Sequence, residues 1–343
     1  MRLLILGGTV FLGRAVARHA VAAGHDVTCL ARGVSGTPVA GVRFLSCDRG
    51  HSAAYSLVDG ERFDAVIDVT SDPRHARGAV AALGDRIDHW VYVSSISVYA
   101  DHSQPHQRAE TTPLQPPADP AGDDPRTDPE TYGRAKVACE AAVRDGVGAA
   151  RSLIARAGLI VGPADPTGRF TYWVTRLARG GRVLAPNEPT DLVQVVDVRD
   201  LAAWLVLAAE QRLSGTFDTV SEPVPFAELL AEVALGVAAE PSLVWVPEVF
   251  LRDHDVRFWS GERSLPLWLP RADHGGMVSR DTSAALAAGL RIRPFAETAS
   301  ATLEWVRAGG DADARPAGLT EAAEMKLLRA WDAAAAEPAG SGT

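Results

Sequence analysis

The sequence predicts a doubly wound α/β fold, and three observations predict it. The chain opens on a short apolar run, LLIL, that meets glycines and then an amphipathic stretch, FLGRAVARHAVAAG, closing at Gly24. Near-continuous apolar runs follow at DVTCLARG, FDAVIDVT and HWVYVSS, with helix-like segments such as RHARGAVAALG between them. Runs of this kind belong to strands buried on both faces, the habit of parallel sheets covered by helices. At 343 residues, 47% hydrophobic and 22% charged, the chain suits one large soluble domain or two smaller ones.

Further along, residues 103–129 hold seven prolines in 27 positions, together with several aspartates, and read as a long surface loop. YGRAKVACEAAVRDG then reads as a helix, RSLIARAGLIVG as one strand, and FTYWVTRLARGG as an aromatic-rich helix. VQVVDVRDLAAWLVLAAEQ reads as a strand running into a helix. The alternation weakens from about residue 222 to 290, where Trp245, Trp259 and Trp268 are read as core residues rather than pocket walls. The end, AAAAEPAGSGT, reads as a frayed tail.

Composition excludes several classes. No run approaches 18 apolar residues, so no membrane span is expected. MRLLILGG has one Arg and no small-residue cleavage site, and reads as a strand rather than a signal peptide. Cys29, Cys47 and Cys139 show neither metal-ligand spacing nor a disulfide framework. They are expected as buried thiols in a reducing, cytoplasmic compartment, with no metal site. A net charge of −9 weighs against a dedicated nucleic-acid surface.

The glycine-rich turn carries the first chemical signal. A strand, GGTVFLG and a helix in that order place unsatisfied helix N–H groups where a diphosphate can dock. Gly7, Gly8, Thr9, Val10, Phe11, Leu12 and Gly13 are therefore candidate cofactor contacts. The turn is neither GxGxxG nor a P-loop. In a dinucleotide-binding Rossmann fold an acidic residue at the end of the second strand takes the adenosine ribose, whereas arginine suits a 2′-phosphate. Here Ala31 and Arg32 stand at that point, which favours NADP over NAD. Asp48, after the next short strand, is placed to reach the adenine amino group.

The second signal pairs VYVSSISVY with YGRAK. Tyr132 and Lys136, four apart, share one helix face. An ammonium beside a phenol lowers the phenol's pKa and makes it a usable acid or base. With Ser95, Tyr132 and Lys136 beside the glycine turn, the chain resembles the extended short-chain dehydrogenase/reductase superfamily, in its NAD-dependent epimerase/dehydratase branch. The resemblance spans about residues 1–310. The usual Gly-x-x-Gly-x-x-Gly reads Gly7, Val10, Gly13 here, without the middle glycine. The GGTxFLG form, DPTGRFTYW and VQVVDVRDLAAW resemble a subgroup often labelled only "reductase", which is also similar to chloroplast stem-loop RNA-binding proteins.

The resemblance implies a Rossmann domain over residues 1–162, rejoined by 191–220. It implies a smaller substrate-binding region over 163–190 and 221–310, with a C-terminal helix and tail at 311–343. It also implies that Ser95 binds the substrate oxygen, Tyr132 transfers the proton, and Lys136 holds the nicotinamide ribose. A homodimer acting on a small molecule is implied as well.

Departures from the family narrow the reaction. Sugar dehydratases carry Asp-Glu after the catalytic Thr; here Ile96 and Ser97 follow Ser95, and Ser97 becomes a substrate-contact candidate. Nucleotide-sugar epimerases usually have an Asn where this chain reads Arg156, Ala157, Gly158, Leu159. Arg169 partly offsets that loss as a ligand for a substrate phosphate or carboxylate. His102, His106, Gln194 and Asp197 are weaker candidates, and Asp197 and Asp200 read as helix caps or braces. Three functions remain open: a reductase or dehydrogenase for a sugar-like, polyoxygenated substrate, an epimerase, and a non-catalytic dinucleotide- or RNA-binding scaffold.

Overall fold

The computed structural model describes residues 1–51, 53–119, 131–310 and 317–336. The chain forms two compact units, one of Met1–Ile160, Val195–Glu222 and Arg280–Ile292, the other of Val161–Gln194, Pro223–Ser279 and Arg293–Thr343.

The first unit is built on a parallel sheet of seven strands. Six are β1 (Arg2–Leu6), β2 (Asp26–Ala31), β3 (Arg43–Ser46), β4 (Phe63–Asp68), β5 (Ile87–Ser95) and β6 (Ser152–Ala157). With Gly215–Thr219 as the seventh, the order is β3, β2, β1, β4, β5, β6 and Gly215–Thr219. Alternate residues of β1 feed two cores. Leu3 and Ile5 pack with α1 (Phe11–Ala22) and Val198–Glu210 through Val16, Ala20, Leu201 and Trp204. Leu4 and Leu6 pack on the opposite face with α2 (Pro73–Leu83) and α3 (Tyr132–Val147) through Ala76, Val80, Cys139 and Val143. The sheet is thus buried on both faces, as the apolar runs require. Strand order reverses between β1 and β4, the place where open α/β sheets bind ligands.

Three details go beyond the sequence reading. RSLIARAGLIVG is not one strand: it breaks between β6 and Leu159–Val161 at Gly158. A Cβ there would lie 2.6 Å from Val220 Cγ2, so the break falls at a residue without a side chain. Gly215–Thr219 was not foreseen, because GTFDT carries little apolar signal before its partner β6 is known. Residues 280–292, assigned by sequence to the substrate region, cluster with the first unit. Arg280 enters it as a buried cation, 2.8 Å from Asp218 and 3.8 Å above the Tyr99 ring.

The second unit centres on the parallel pair Arg182–Pro186 and Ser242–Val246, with helices Arg169–Ala178, Phe226–Gly236, Phe295–Arg307 and Glu321–Ala336. Its core is aromatic: Trp173 is met edge-on by Tyr172 at 5.1 Å and Phe226 at 5.5 Å. Trp268 is buried and donates its Nε1 proton to Asp191 at 3.2 Å, whereas Trp259 is half-buried. Much of the end of the proline-rich loop, 120–130, and the tail from 337 lie outside the described residues.

Candidate functional site

The glycine turn is wound against α1 as tightly as backbone allows. Gly7 has φ +106°, and a Cβ on Gly13 would lie 1.8 Å from the Gly7 carbonyl oxygen. A Cβ on Gly8 would lie 2.5 Å from Cys29 Sγ. Val10, in place of the middle glycine, has φ −131°, which any residue adopts; the left-handed step falls instead on Phe11 at φ +34°. Val10 gives α1 no side-chain cap, so the first-turn N–H groups remain for a ligand or water.

A cleft of about 1000 Å³ lies over this turn. Gly7, Thr9, Val10, Ala31, Arg32 and Asp48 line it. Gly8, Phe11, Leu12 and Gly13 shape the turn from behind, and Leu12 belongs to the core. Two cleft arginines are neutralised: Arg49 grips Asp68 with two bonds of 2.9 Å, and Arg74 holds Asp72 at 2.7 Å. Arg32 is exposed and makes no ion pair among the described residues. The Gly50 N–H, with help from His51, Arg32 and His75, holds the Asp48 carboxyl below the usual carboxylate range. These features fit an anionic dinucleotide: a bare helix start, a glycine cradle with no space for side chains, and one uncommitted guanidinium.

At the end of β5 and the start of α3 stand the other three candidates. The Ser95 hydroxyl lies 3.1 Å from that of Ser97 and also accepts the Ser97 N–H. It thereby caps the short turn Ile96–Val98. Tyr132 is 36% exposed, and its hydroxyl makes no hydrogen bond among the described residues. Lys136 is 3% exposed and donates from Nζ to the carbonyls of Val93 at 2.7 Å and Thr70 at 2.8 Å. Its Nζ stands 5.9 Å from the Tyr132 ring centre. An ammonium has three protons. Two are used, and one is left for a ligand.

Neighbouring motif residues prove structural. Ser94 donates to Glu140 Oε1 at 2.6 Å, which leaves Ser95 as the hydroxyl of that pair turned to other work. Arg156 is gripped by Glu140 at 2.9 and 2.8 Å, so it is not a substrate cation. Asp197 caps its helix, accepting the Arg199 N–H at 2.7 Å. Arg169 lies in the second unit, its guanidinium 4.5 Å above the Trp259 ring.

Sequence reasoning missed Arg49, Asp68, Thr70 and Tyr92, whose partners are distant in sequence. It also missed Gln115, which donates from Nε2 to the Ser97 carbonyl at 2.9 Å, and Gly133. The signal for Gly133 was present: a glycine inside a strong helix usually has a packing reason. Among the described residues no group of three or more His, Cys, Asp or Glu side chains could hold a metal, and no helix is long and apolar enough to cross a membrane.

Comparison with known proteins bears on the family and the fold. The chain is 28% identical over 264 residues to 2'-dehydrokanamycin reductase of Streptomyces kanamyceticus, covering 72% of this chain and 71% of that one. It is 26% identical over 317 residues to dTDP-6-deoxy-L-talose 4-dehydrogenase (NAD(P)(+)) of Kitasatospora kifunensis, covering 78% and 97%. Its fold matches Thermus thermophilus UDP-glucose 4-epimerase, solved with NAD, at TM-score 0.61 and 19% identity over 90% of this chain and 99% of that one. A family model for the NAD dependent epimerase/dehydratase family matches residues 3–219. The chain belongs to that family, and is an NAD(P)-dependent enzyme of its oxidoreductase and epimerase kind.

Proposed function

We propose that the protein is an NADP(H)-preferring oxidoreductase acting on a sugar-like, polyoxygenated carbonyl or alcohol. The observation that carries this reading is Lys136, buried to 3% with two protons committed to main-chain carbonyls and one uncommitted. So fixed a cation beside an exposed phenol suits ribose binding and proton transfer rather than packing. Lys136 holds the nicotinamide ribose, Tyr132 moves the proton at the substrate oxygen, and Ser95, with Ser97 beside it, hydrogen-bonds that oxygen. The nicotinamide, when bound, supplies or accepts the hydride. Arg32 takes the 2′-phosphate and Asp48 the adenine amino group. Arg169 is assigned to a substrate phosphate or carboxylate.

The choice of a sugar-like substrate is supported by the relatives, a 2'-dehydrokanamycin reductase and a dTDP-6-deoxy-L-talose 4-dehydrogenase. The negative charge argues against an RNA-binding scaffold. Pairing as a homodimer and a cytoplasmic location remain part of the proposal, the first to be tested by light scattering. The decisive experiment is the nucleotide content of the purified protein, followed by NADPH and NADH oxidation with a panel of ketosugars. Exchangeable NADPH consumed in proportion to product supports the reading. Tightly retained NAD with interconversion of sugar epimers and no net redox would replace it with epimerisation.

A further inference from the structure

Thr70, in the turn after β4, is bonded at every polar atom it has. Its N–H donates to Asp68 Oδ1 at 3.0 Å, and its hydroxyl accepts the Asp72 N–H at 3.2 Å. Its carbonyl accepts two donors, Lys136 Nζ at 2.8 Å and the Tyr92 hydroxyl at 2.9 Å. A carbonyl oxygen has two lone pairs, and here both are used. Asp68 is itself immobile: it is fully buried and gripped by Arg49, which also reaches the Tyr55 hydroxyl at 3.0 Å and the His75 carbonyl at 3.1 Å.

Tyr92 is the informative member of this set. It is fully buried in the core beside Cys139, where phenylalanine would serve packing equally well. A buried hydroxyl costs stability unless it is paired, so the core alone gives no reason for it. Burial pushes its phenol well above the usual tyrosine range, which keeps it a donor. Its ring centre also lies 5.0 Å from Lys136 Nζ. A lysine stem is flexible and its ammonium lacks the fixed fork of arginine, so its aim depends on the acceptors around it.

We propose that Tyr92 is a positioning residue for Lys136: its hydroxyl and ring, with the Thr70 carbonyl braced by Arg49 and Asp68, direct the third Lys136 proton to the nicotinamide ribose. The inference rests on the reading of Lys136 as the ribose contact. Arg49, after β3, and Thr70, after β4, also line the cleft over the glycine turn.

The test compares whole cofactors with fragments lacking the nicotinamide ribose: NADPH against adenosine 2′,5′-bisphosphate, and NADH against ADP. Tyr92→Phe is expected to weaken both dinucleotides roughly three- to tenfold, the scale of one ordinary hydrogen bond, while both fragments bind within about twofold of wild type. A purely structural role would weaken fragment and dinucleotide alike, and that result overturns the proposal. Lys136→Met is the reference. If it weakens the dinucleotides selectively and Tyr92→Phe does not, the positioning role fails while the ribose contact stands. If neither variant separates dinucleotide from fragment, the ribose contact fails and the inference with it. Should Tyr92→Phe fail to fold, Tyr92→Met, which also removes the hydroxyl, is read by the same ratio, with the same outcomes for and against.

Discussion

Gly133 stands in the first turn of α3 directly against the carbonyl of Ser97: a Cβ there would lie 2.1 Å from that oxygen and 2.8 Å from Gln115 Nε2. Tyr132 precedes Gly133, and Ser95 caps the turn that carries Ser97. The close approach therefore fixes how near the phenol comes to the serine hydroxyls. Gly→Ala in a helix interior ordinarily stabilises by about 1 kcal/mol. Here the sign reverses, because the obstacle is backbone and cannot swing aside. Gly133→Ala is expected to lower stability in urea by about 1–3 kcal/mol, the usual cost of overpacking, and to reduce turnover. A variant as stable as wild type would show that this contact is not tight in solution.

What the sequence disclosed was local. The glycine turn, the Tyr132 and Lys136 spacing and the apolar runs are each contained within a few residues, and they fold as a turn, one helix face and strands. The bracing was hidden because its partners are remote in sequence. Arg49 and Asp68 are 19 positions apart, Tyr99 and Asp218 are 119, and Arg280 and Asp218 are 62. Each charge taken alone looks like a solvated surface residue, and only the folded chain shows that Asp68 and Arg280 are buried. The seventh strand was hidden for a related reason, since GTFDT becomes a strand only beside β6.

Gly13→Ala addresses the cofactor turn. Its new Cβ would sit 1.8 Å from the Gly7 oxygen and 2.9 Å from the Gly7 carbonyl carbon, so the turn must open. Titration calorimetry should show at least about tenfold weaker binding of NADP and NAD, with the cooperative unfolding transition retained. Unchanged affinity would remove the glycine turn from the cofactor site.

Arg32→Ala tests the choice between cofactors. The other two cleft arginines, Arg49 and Arg74, are tied to Asp68 and Asp72, which leaves Arg32 for a 2′-phosphate. Losing a charge-assisted contact should weaken NADPH by roughly tenfold or more while NADH changes little. Equal losses for both cofactors would end the phosphate role.

His89 sets an acid limit on stability. It is 1% exposed in β5, its Nε2 lacks a hydrogen-bond partner among the described residues, and burial, aided by the Arg212 charge, pushes its pKa down to about 4. The unfolded chain takes up this proton near pH 6.5, whereas the native chain resists it until about pH 4. Stability from this group is therefore unaffected above pH 6.5 and falls as pH drops through that window, by up to about 3 kcal/mol. His89→Gln should flatten that part of the pH–stability curve. An unchanged slope between pH 6.5 and 4 would assign the acid sensitivity to other groups.

The site itself is tested by three substitutions that should fail in different ways. Tyr132→Phe removes only a hydroxyl that makes no hydrogen bond among the described residues and is partly exposed, so fold and cofactor affinity should hold. Turnover on the substrate found in the ketosugar panel should fall by about 10²-fold or more, the scale of a lost positioned acid or base. Lys136→Met should lower cofactor affinity and turnover together. It should also lower the thermal midpoint, because the Val93 and Thr70 carbonyls lose a buried donor. Ser95→Ala should leave cofactor affinity intact and reduce turnover, with a small loss of stability because the Ser97 N–H loses its acceptor. A helix that was merely structural would not separate these readouts. Cofactor dissociation constants, thermal midpoints and single-turnover rates for the three variants decide the matter. Hydride transfer by Tyr132→Phe at the wild-type rate, with the wild-type pH dependence, would sink the assignment.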